Sequence, residues 1–274
     1  MDKPYMGKIL MVDLSTRSLM EETIPDRVYE LYLSGMGLGA YILYNRMPAG
    51  ADPLGPENML GFCSGLLTGT GSFFSGRWTL VGKSPLTGGW GDANCGGTFS
   101  PAIKQCGYDA IFFKGISSQP VYLYVKNGKA ELKDASGLWG RDAVETEEGL
   151  KKEHGRRAAV AVIGPAGEKL SLISGVCNDR GRIAARSGLG AVMGSKKLKA
   201  VVLDGVRRIG AHDPAEMKRL SRHCAKWVRF PLPLMPGAMF ARVGTLLRLT
   251  PVVFPQDGLL YRAILRKWGT GGMN

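Results

Sequence analysis

Short apolar runs bounded by turn residues dominate the pattern of hydrophobic and polar positions up to Gly205. Their length and their content of Val, Ile, Phe and Tyr are typical of β-strands. The strand-like runs cover residues 7–14, 59–66, 77–83, 109–115, 121–126, 129–134, 158–164 and 198–205. Asn127 and Gly128 separate two of these runs, which predicts a hairpin with a two-residue turn.

Fewer segments have the 3.6-residue apolar period of a helix. These segments are residues 26–47, 99–106, 140–154 and 213–229. We expect Asp26 to cap the first, which is bent or broken at its glycines, and Asp213 to cap the last, with Pro214 in its first turn. Because strands outnumber helices and do not alternate regularly with them, the sequence predicts an α+β fold and not a doubly wound sheet.

The net charge of +13 is unevenly distributed. Residues 1–206 hold 24 basic and 20 acidic groups, whereas residues 207–274 hold 12 and 3. This change predicts a domain boundary at about residues 206–212. The basic segment leaves open one class of function, that of a polyanion- or nucleic-acid-binding module without redox activity. The aromatic residues of this segment are not interleaved with its basic residues as they are in proteins that stack on nucleic-acid bases. This pattern argues against nucleic acid as a partner.

Five cysteines lie far apart in the sequence, with none of the spacings of a zinc or iron–sulfur ligand set. An odd number of cysteines without an export signal favours a reducing, cytoplasmic location. No apolar run is long enough to span a membrane, so no membrane partner is expected. We expect His154, His212 and His223 to face solvent or cap helices.

Glycine is about twice as frequent as the roughly 7% of average proteins, with 39 residues in clusters. The run Gly35-x-Gly37-x-Gly39 resembles a dinucleotide fingerprint, but it lies inside a helical pattern and not after a strand. The run from Gly188 to Lys196 resembles a phosphate-binding loop with its Ser and Lys exchanged, and it leads into a strand. Both nucleotide interpretations are therefore weak, although clustered backbone N–H groups can still bind an anion.

Two separated segments, 75–97 and 178–199, combine arginines with exposed glycine-rich backbone. Guanidinium groups pair with phosphate in a bidentate manner, and small residues leave room for a large flat ligand. These segments are the best candidates for a phosphate-bearing cofactor site. Their residues alone do not decide between that role and ordinary surface turns.

Six ordered segments give a more specific signal, because together they resemble the aldehyde ferredoxin oxidoreductase family. They are LTGT at 67–70, SGRWTLVGKSPLTG at 75–88, NCGG at 94–97, CGYDAIFFKG at 106–115, VIGPAGE at 162–168 and GLGAVMGSKKLKAV at 188–201. The resemblance covers nearly all of residues 5–206. It implies a base domain of two β-sheets related by a pseudo-twofold axis, which binds a tungsten or molybdenum bis-pterin cofactor.

The resemblance also implies individual roles. Arg77 matches the arginine between the pterin and a 4Fe-4S cluster. Asn94 and Ile183 match positions whose backbone carbonyls bind a magnesium ion between the pterin phosphates, and a carbonyl ligand makes no demand on the side chain.

Four further positions match residues that contact the pterin. They are Gly96, Arg182, Ala185 and Arg186. Ala185 replaces a glycine of the best-known relatives, which puts that contact in doubt. No catalytic residue is matched.

The family implies oxidation of an aldehyde to a carboxylic acid, with ferredoxin or another carrier as electron acceptor. Some relatives are subunits of larger complexes that reduce aromatic thioesters, so the oxo substrate and additional subunits stay open. Family members are much longer, so the resemblance implies a pterin-binding base domain at 1–206 and the incomplete beginning of a helical second domain at 207–274. We expect the 4Fe-4S ligands and the acid–base residues to lie outside this chain. We therefore expect the chain alone to be inactive.

Overall fold

Strands of two sheets make up most of the regular structure in the computed structural model, which describes residues 3–228. The first sheet contains β1 Lys8–Asp13, β2 Ser18–Thr23, β3 Leu60–Ser64, β4 Trp78–Lys83, β5 Trp90–Cys95 and β6 Ala110–Lys114. The second contains β7 Val121–Lys126, β8 Lys129–Asp134, β9 Ala159–Val162, β10 Val176–Asn178, β11 Arg182–Ala184 and β12 Leu198–Asp204.

The two sheets repeat one topology. Their strand orders are β2-β1-β6-β3-β4-β5 and β8-β7-β12-β9-β10-β11. In each sheet one pair is parallel, β1 with β6 and β7 with β12, and every other neighbouring pair is antiparallel. The chain thus builds two equivalent halves, as the predicted pseudo-twofold requires, and β5 and β11 are equivalent edge strands.

Seven helices connect or follow the strands within the described residues. They are α1 Asp26–Tyr32, α2 Met36–Arg46, α3 Phe99–Gln105, α4 Ala143–His154, α5 Pro165–Glu168, α6 Leu189–Ser195 and α7 Pro214–Val228. The repeat extends to them, because α3 follows β5 as α6 follows β11. Helix α5, between β9 and β10, has no described counterpart between β3 and β4.

One apolar core joins the two halves. It contains the inner faces of both sheets, for example Phe62 and Val201, together with Phe99 of α3 and Val192 of α6. Helices α1 and α2 cover the outer face of the first sheet, and α4 covers that of the second. Because the core between the sheets is apolar, a polar binding site forms at its margins at less cost.

The sequence patterns predicted most of these elements. The α+β class, the two sheets, the Asn127–Gly128 hairpin and the cap that Asp213 provides to the N–H of Glu216 are confirmed. The cap at Asp26 is wrong. Asp26 is the first residue of α1, and its carboxylate accepts hydrogen bonds from Lys3 and Tyr5 instead of from a helix N–H.

Packing explains both glycine motifs. A Cβ on Gly39 would lie 2.9 Å from methyl carbons of Val81, so glycine lets α2 approach β4. A Cβ on Gly194 would likewise collide with the carbonyl of Gly167, so glycine lets α6 pack on α5. Lys196 is fully buried and donates to the carbonyl of Gly115 at 3.2 Å, and desolvation lowers its pKa to about 8. Its ammonium group therefore points away from any phosphate at the loop.

The chain divides into compact units at Met1–Arg219 and Leu220–Asn274. The predicted domain boundary at residue 206 remains a prediction, and most of the predicted second segment, residues 229–274, lies outside the described residues. No helix among residues 3–228 is long and apolar enough to cross a membrane.

His154 does not face solvent as expected. Its side chain is 5% exposed, its ring stacks on Tyr124 at 4.0 Å between centroids, and its Nε2 lies 3.0 Å from the hydroxyl of Tyr122. Burial lowers the pKa of His154, although Glu153 opposes this shift. The apolar face of α4 therefore extends to its last residue.

The lowered pKa makes stability depend on pH. His154 is neutral in both states at high pH, whereas below about 6.5, the pKa of an unperturbed histidine, the unfolded chain takes up a proton more readily. We expect the free energy of unfolding to fall as the pH decreases below about 6.5, and to fall less in His154→Gln. Urea denaturation at several pH values measures this, and equal slopes for both proteins would contradict it.

Candidate functional site

Arg77 and Asn94 meet at the end of the β4–β5 ladder. Arg77 precedes β4, and its Nε donates to Oδ1 of Asn94 at 2.8 Å. Its Nη2 donates to the same oxygen and, at 3.2 Å, to the backbone carbonyl of Asn94. Both side chains are exposed, and the fork between them fixes the direction of the guanidinium group. The carbonyl keeps a second lone pair for another partner.

A cluster of buried hydroxyl groups holds the backbone of Arg77. Ser100 is fully buried and donates to the carbonyl of Arg77 at 2.8 Å. Its hydroxyl lies 3.1 Å from that of Ser64 and 3.2 Å from that of Thr68. The backbone of Arg77 is therefore anchored through α3, while its side chain remains at the surface.

Gly96 lies between two guanidinium groups. A Cβ at this position would lie 3.6 Å from Nη1 of Arg182 and 3.9 Å from Nη1 of Arg77. The backbone of Gly96 is not left-handed, and the added atom would meet no closer neighbour. Folding therefore does not require glycine at this position. Glycine instead keeps open a space that two positive charges border.

Cys95 carries no charge at this site. Burial raises the pKa of its thiol more than the nearby arginines lower it, and the thiol donates to Oδ1 of Asn178 at 3.1 Å. Cys95 is therefore a small neutral side chain in this loop. Within residues 3–228, no three His, Cys, Asp or Glu side chains are grouped so that they could hold a metal ion.

The second half contributes β11 and the loop that follows it. Arg182 and Ile183 are exposed in β11, and Ala185 and Arg186 are exposed in the loop that leads to α6. Ser187 ties this loop to the first half, since its hydroxyl donates to the carbonyl of Asp92 at 3.2 Å. The structure thus brings Arg77, Asn94, Gly96 and Arg182 together.

The other three predicted positions follow along the same strand and loop. Ile183 pairs with Cys177 across the β10–β11 ladder, and the Cα of Ala185 lies 2.8 Å from where a Cβ on Gly175 would be. Among residues 3–228, no hydrogen bond or ion pair joins Ile183, Ala185 or Arg186 to Arg77 or Asn94.

Three residues at this site were not singled out from the sequence. Asn178 and Asp179, in the β10–β11 turn, hydrogen-bond to residues 95–98 of the first half, and Thr98 donates two of these bonds to Asp179. An Asn-Asp pair before a glycine is a turn signal that the sequence does show. A contact between residues about eighty positions apart leaves no periodic signal.

The sequence pattern of the N-terminal domain of aldehyde ferredoxin oxidoreductase matches residues 9–205. The chain belongs to this family. It is 45% identical over 208 residues to a tungsten-containing aldehyde ferredoxin oxidoreductase of Thermococcus kodakarensis, which covers 76% of this chain and 34% of the relative. The chain therefore spans about a third of the length of the curated relatives it matches.

Relatives with other substrates have the same N-terminal domain. An aliphatic sulfonate oxidoreductase WOR-like subunit of Pyrococcus furiosus is 34% identical over 236 residues, which are 80% of this chain and 37% of the relative. A solved structure of the active-site complex BamBC of benzoyl coenzyme A reductase with 1,5-dienoyl-CoA superposes with a TM-score of 0.82 at 39% identity, over 86% of this chain and 37% of that chain. The domain is thus shared by oxidoreductases with different substrates.

We expect Gly97, unlike Gly96, to be required for folding of the loop. Its φ is +111°, and an added Cβ would collide with Oδ2 of Asp179 and lie 2.6 Å from Nδ2 of Asn178. Gly97→Ala should therefore reduce the free energy of unfolding by about 1–3 kcal/mol. Chemical denaturation measures the change, and a variant as stable as the wild type would contradict this geometry.

Proposed function

We propose that this chain is the pterin-binding portion of an oxidoreductase that converts aldehydes to carboxylic acids with a tungsten or molybdenum bis-pterin cofactor. The observation that carries the proposal is the space at Gly96 between Arg77 and Arg182. The names of two curated relatives support tungsten as the metal and an aldehyde as the substrate. The comparisons give no support to the alternative, a polyanion-binding module.

The residues present fit such a cofactor. A bis-pterin carries phosphate groups and flat ring systems, and two exposed guanidinium groups with a glycine between them offer charge, hydrogen-bond donors and room. Arg77 is already oriented by Asn94, so binding would cost it little side-chain entropy. We propose that Gly96, Arg182, Ala185 and Arg186 contact the pterins and that Arg77 also faces the 4Fe-4S cluster.

The repeated topology supports a paired role for Asn94 and Ile183. The last pair of the β4–β5 ladder is Trp78 with Cys95, and the corresponding pair of the β10–β11 ladder is Val176 with Ala184. With these pairs taken as equivalent, Asn94 corresponds to Ile183. Two carbonyls in equivalent positions on two edge strands would suit magnesium, which prefers oxygen ligands, and we propose that they would hold such an ion.

The same equivalence pairs Gly96 with Ala185. One half thus has an open position, and the other has a methyl group at the corresponding place. We propose that the two pterin contacts differ for this reason, with the tighter approach of a ligand at Gly96.

When bound, a tungsten or molybdenum bis-pterin supplies the two-electron chemistry that converts an aldehyde to a carboxylic acid. The described residues bind and orient the cofactor, and the guanidinium groups of Arg77 and Arg182 stabilise negative charge at its edge. This chain matches about a third of the length of its relatives. We propose that the ligands of the 4Fe-4S cluster come from the part of the whole protein that corresponds to the other two thirds. Ferredoxin or another carrier is the proposed electron acceptor of the whole protein.

The variant Gly96→Ala tests this proposal. We expect it to leave the thermal midpoint unchanged or slightly raised, because the backbone accepts alanine and Gly→Ala at such sites gains about 0.4–1 kcal/mol. We expect its pterin and metal content per chain, after anaerobic purification from a host that makes the cofactor, to fall well below that of the wild type. Metal analysis and fluorescence of the oxidised pterin give these contents.

Gly137→Ala is the matched control. Gly137 also has an ordinary φ and open space for a Cβ, but it follows β8, at the edge of the second sheet opposite to β11. Its cofactor content should equal that of the wild type. Unchanged content in Gly96→Ala, or a wild-type chain without pterin, tungsten or molybdenum, would refute the proposed function.

A further inference from the structure

The turn between β10 and β11 has an unusual backbone. Asp179, Arg180 and Gly181 follow one another with φ values of +47°, +58° and +124°. The left-handed region is unfavourable for side chains such as that of Arg180, so contacts must hold the turn in place. Arg182, the guanidinium group next to Gly96, begins the strand directly after this turn.

On one side, the turn hydrogen-bonds to the loop of the other half. The carboxylate of Asp179 accepts from the N–H of Thr98 at 2.7 Å and from its hydroxyl at 2.6 Å. Asn178 is fully buried, and its Nδ2 donates to the carbonyl of Gly96 at 3.1 Å. Its Oδ1 accepts from the thiol of Cys95. Four hydrogen bonds thus join residues 95–98 to two neighbouring side chains.

On the other side, α4 holds the turn. The N–H of Arg180 donates to Glu147 at 2.9 Å, and the side chain of Glu147 is 1% exposed. Lys151 pairs with Glu147 at 2.5 Å and lies 3.9 Å from Asp179. The ammonium group of Lys151 therefore sits between two carboxylates, and it offsets the cost of burying them.

We propose that Asp179, together with Asn178, is a positioning residue that holds Gly96 of the first half and Arg182 of the second half at a fixed separation. The two side chains act through the loop and the turn, without touching the ligand. This inference rests on the proposed function, since the fixed separation matters for a cofactor that contacts both halves. Distances between binding groups must be held to within about 0.5 Å for tight binding of a rigid ligand.

The test compares Asp179→Ala with a control of the same chemistry. Asp13 has the same side-chain exposure of 18%, accepts from the N–H groups of Ser15 and Thr16 at 3.0 and 3.2 Å, and pairs with Lys114 at 3.3 Å. It lies at the end of β1, which is separated from β5 by three strands. Asp13→Ala should therefore lower the thermal midpoint similarly without disturbing residues 95–98.

We expect hydrogen exchange at the amide of Thr98 to accelerate about tenfold or more in Asp179→Ala only, because its charge-assisted hydrogen bond to the carboxylate is lost. Pterin content per folded chain should fall about tenfold in the same variant, the size of effect that loss of a supporting residue has at metal sites. Asp179→Asn should restore most of the protection from exchange and most of the pterin content, because its amide oxygen can accept a hydrogen bond from Thr98.

Each outcome decides the question. A wild-type exchange rate at the amide of Thr98 in Asp179→Ala would overturn the proposal, as would an equal loss of pterin in Asp13→Ala. A loss of stability in Asp179→Ala with unchanged pterin content would show a structural role only. A wild-type chain that binds no pterin would refute the proposed function, and the exchange comparison would still test the contact between the halves.

Discussion

The two halves of this domain share one apolar core, and this constraint determines where binding chemistry can occur. Unpaired polar groups are costly between the sheets, where Phe62, Phe99, Val192 and Val201 pack together. Edge strands, by contrast, carry backbone N–H and C=O groups without a partner strand. Strands β5 and β11 are such edges, one from each half, and they adjoin at the candidate site. A site at this junction obtains carbonyls and arginines from both halves without disturbing the core.

Although the two edge strands are equivalent, the two halves contribute their guanidinium groups to the site from different positions. The first half supplies a guanidinium group before its strand ladder, at Arg77, and the second supplies one inside its edge strand, at Arg182. The buried hydroxyl groups near Arg77 and the left-handed turn before Arg182 hold these groups in different ways. Both nevertheless approach Gly96. The repeat thus provides the framework, and local side chains determine the two kinds of contact.

Apolar patterning predicted the fold well because the long central strands are buried on both faces. Strands β6 and β12, for example, are nearly continuous apolar runs. The elements that it missed are short or rich in glycine. Strands β10 and β11 have three residues each, β5 begins with an exposed Trp90 and contains polar side chains, and α6 contains two glycines that a propensity argument counts against a helix. Their structure depends on neighbours distant in sequence, so local pattern could not reveal it.

The candidate site could be predicted mainly because the chain resembles a known family. The site residues alone gave a less specific prediction. Segments 75–97 and 178–199 were recognisable as arginines in exposed backbone. The hydrogen bonds from Thr98 to Asp179 join the second segment to the residue that directly follows the first, but each bond depends on a turn geometry that the sequence does not specify. The same limit applied to His154, where the partners that bury it, Tyr122 and Tyr124, come from a strand about thirty residues earlier.

We propose that one cofactor contacts both halves at the junction of β5 and β11. A crystal structure of the anaerobically purified chain, with anomalous diffraction measured at a tungsten absorption edge, tests this proposal. We expect metal-bearing density beside Gly96, in contact with the guanidinium groups of both Arg77 and Arg182. Cofactor density that contacts one half alone, or that lies away from this junction, would contradict it.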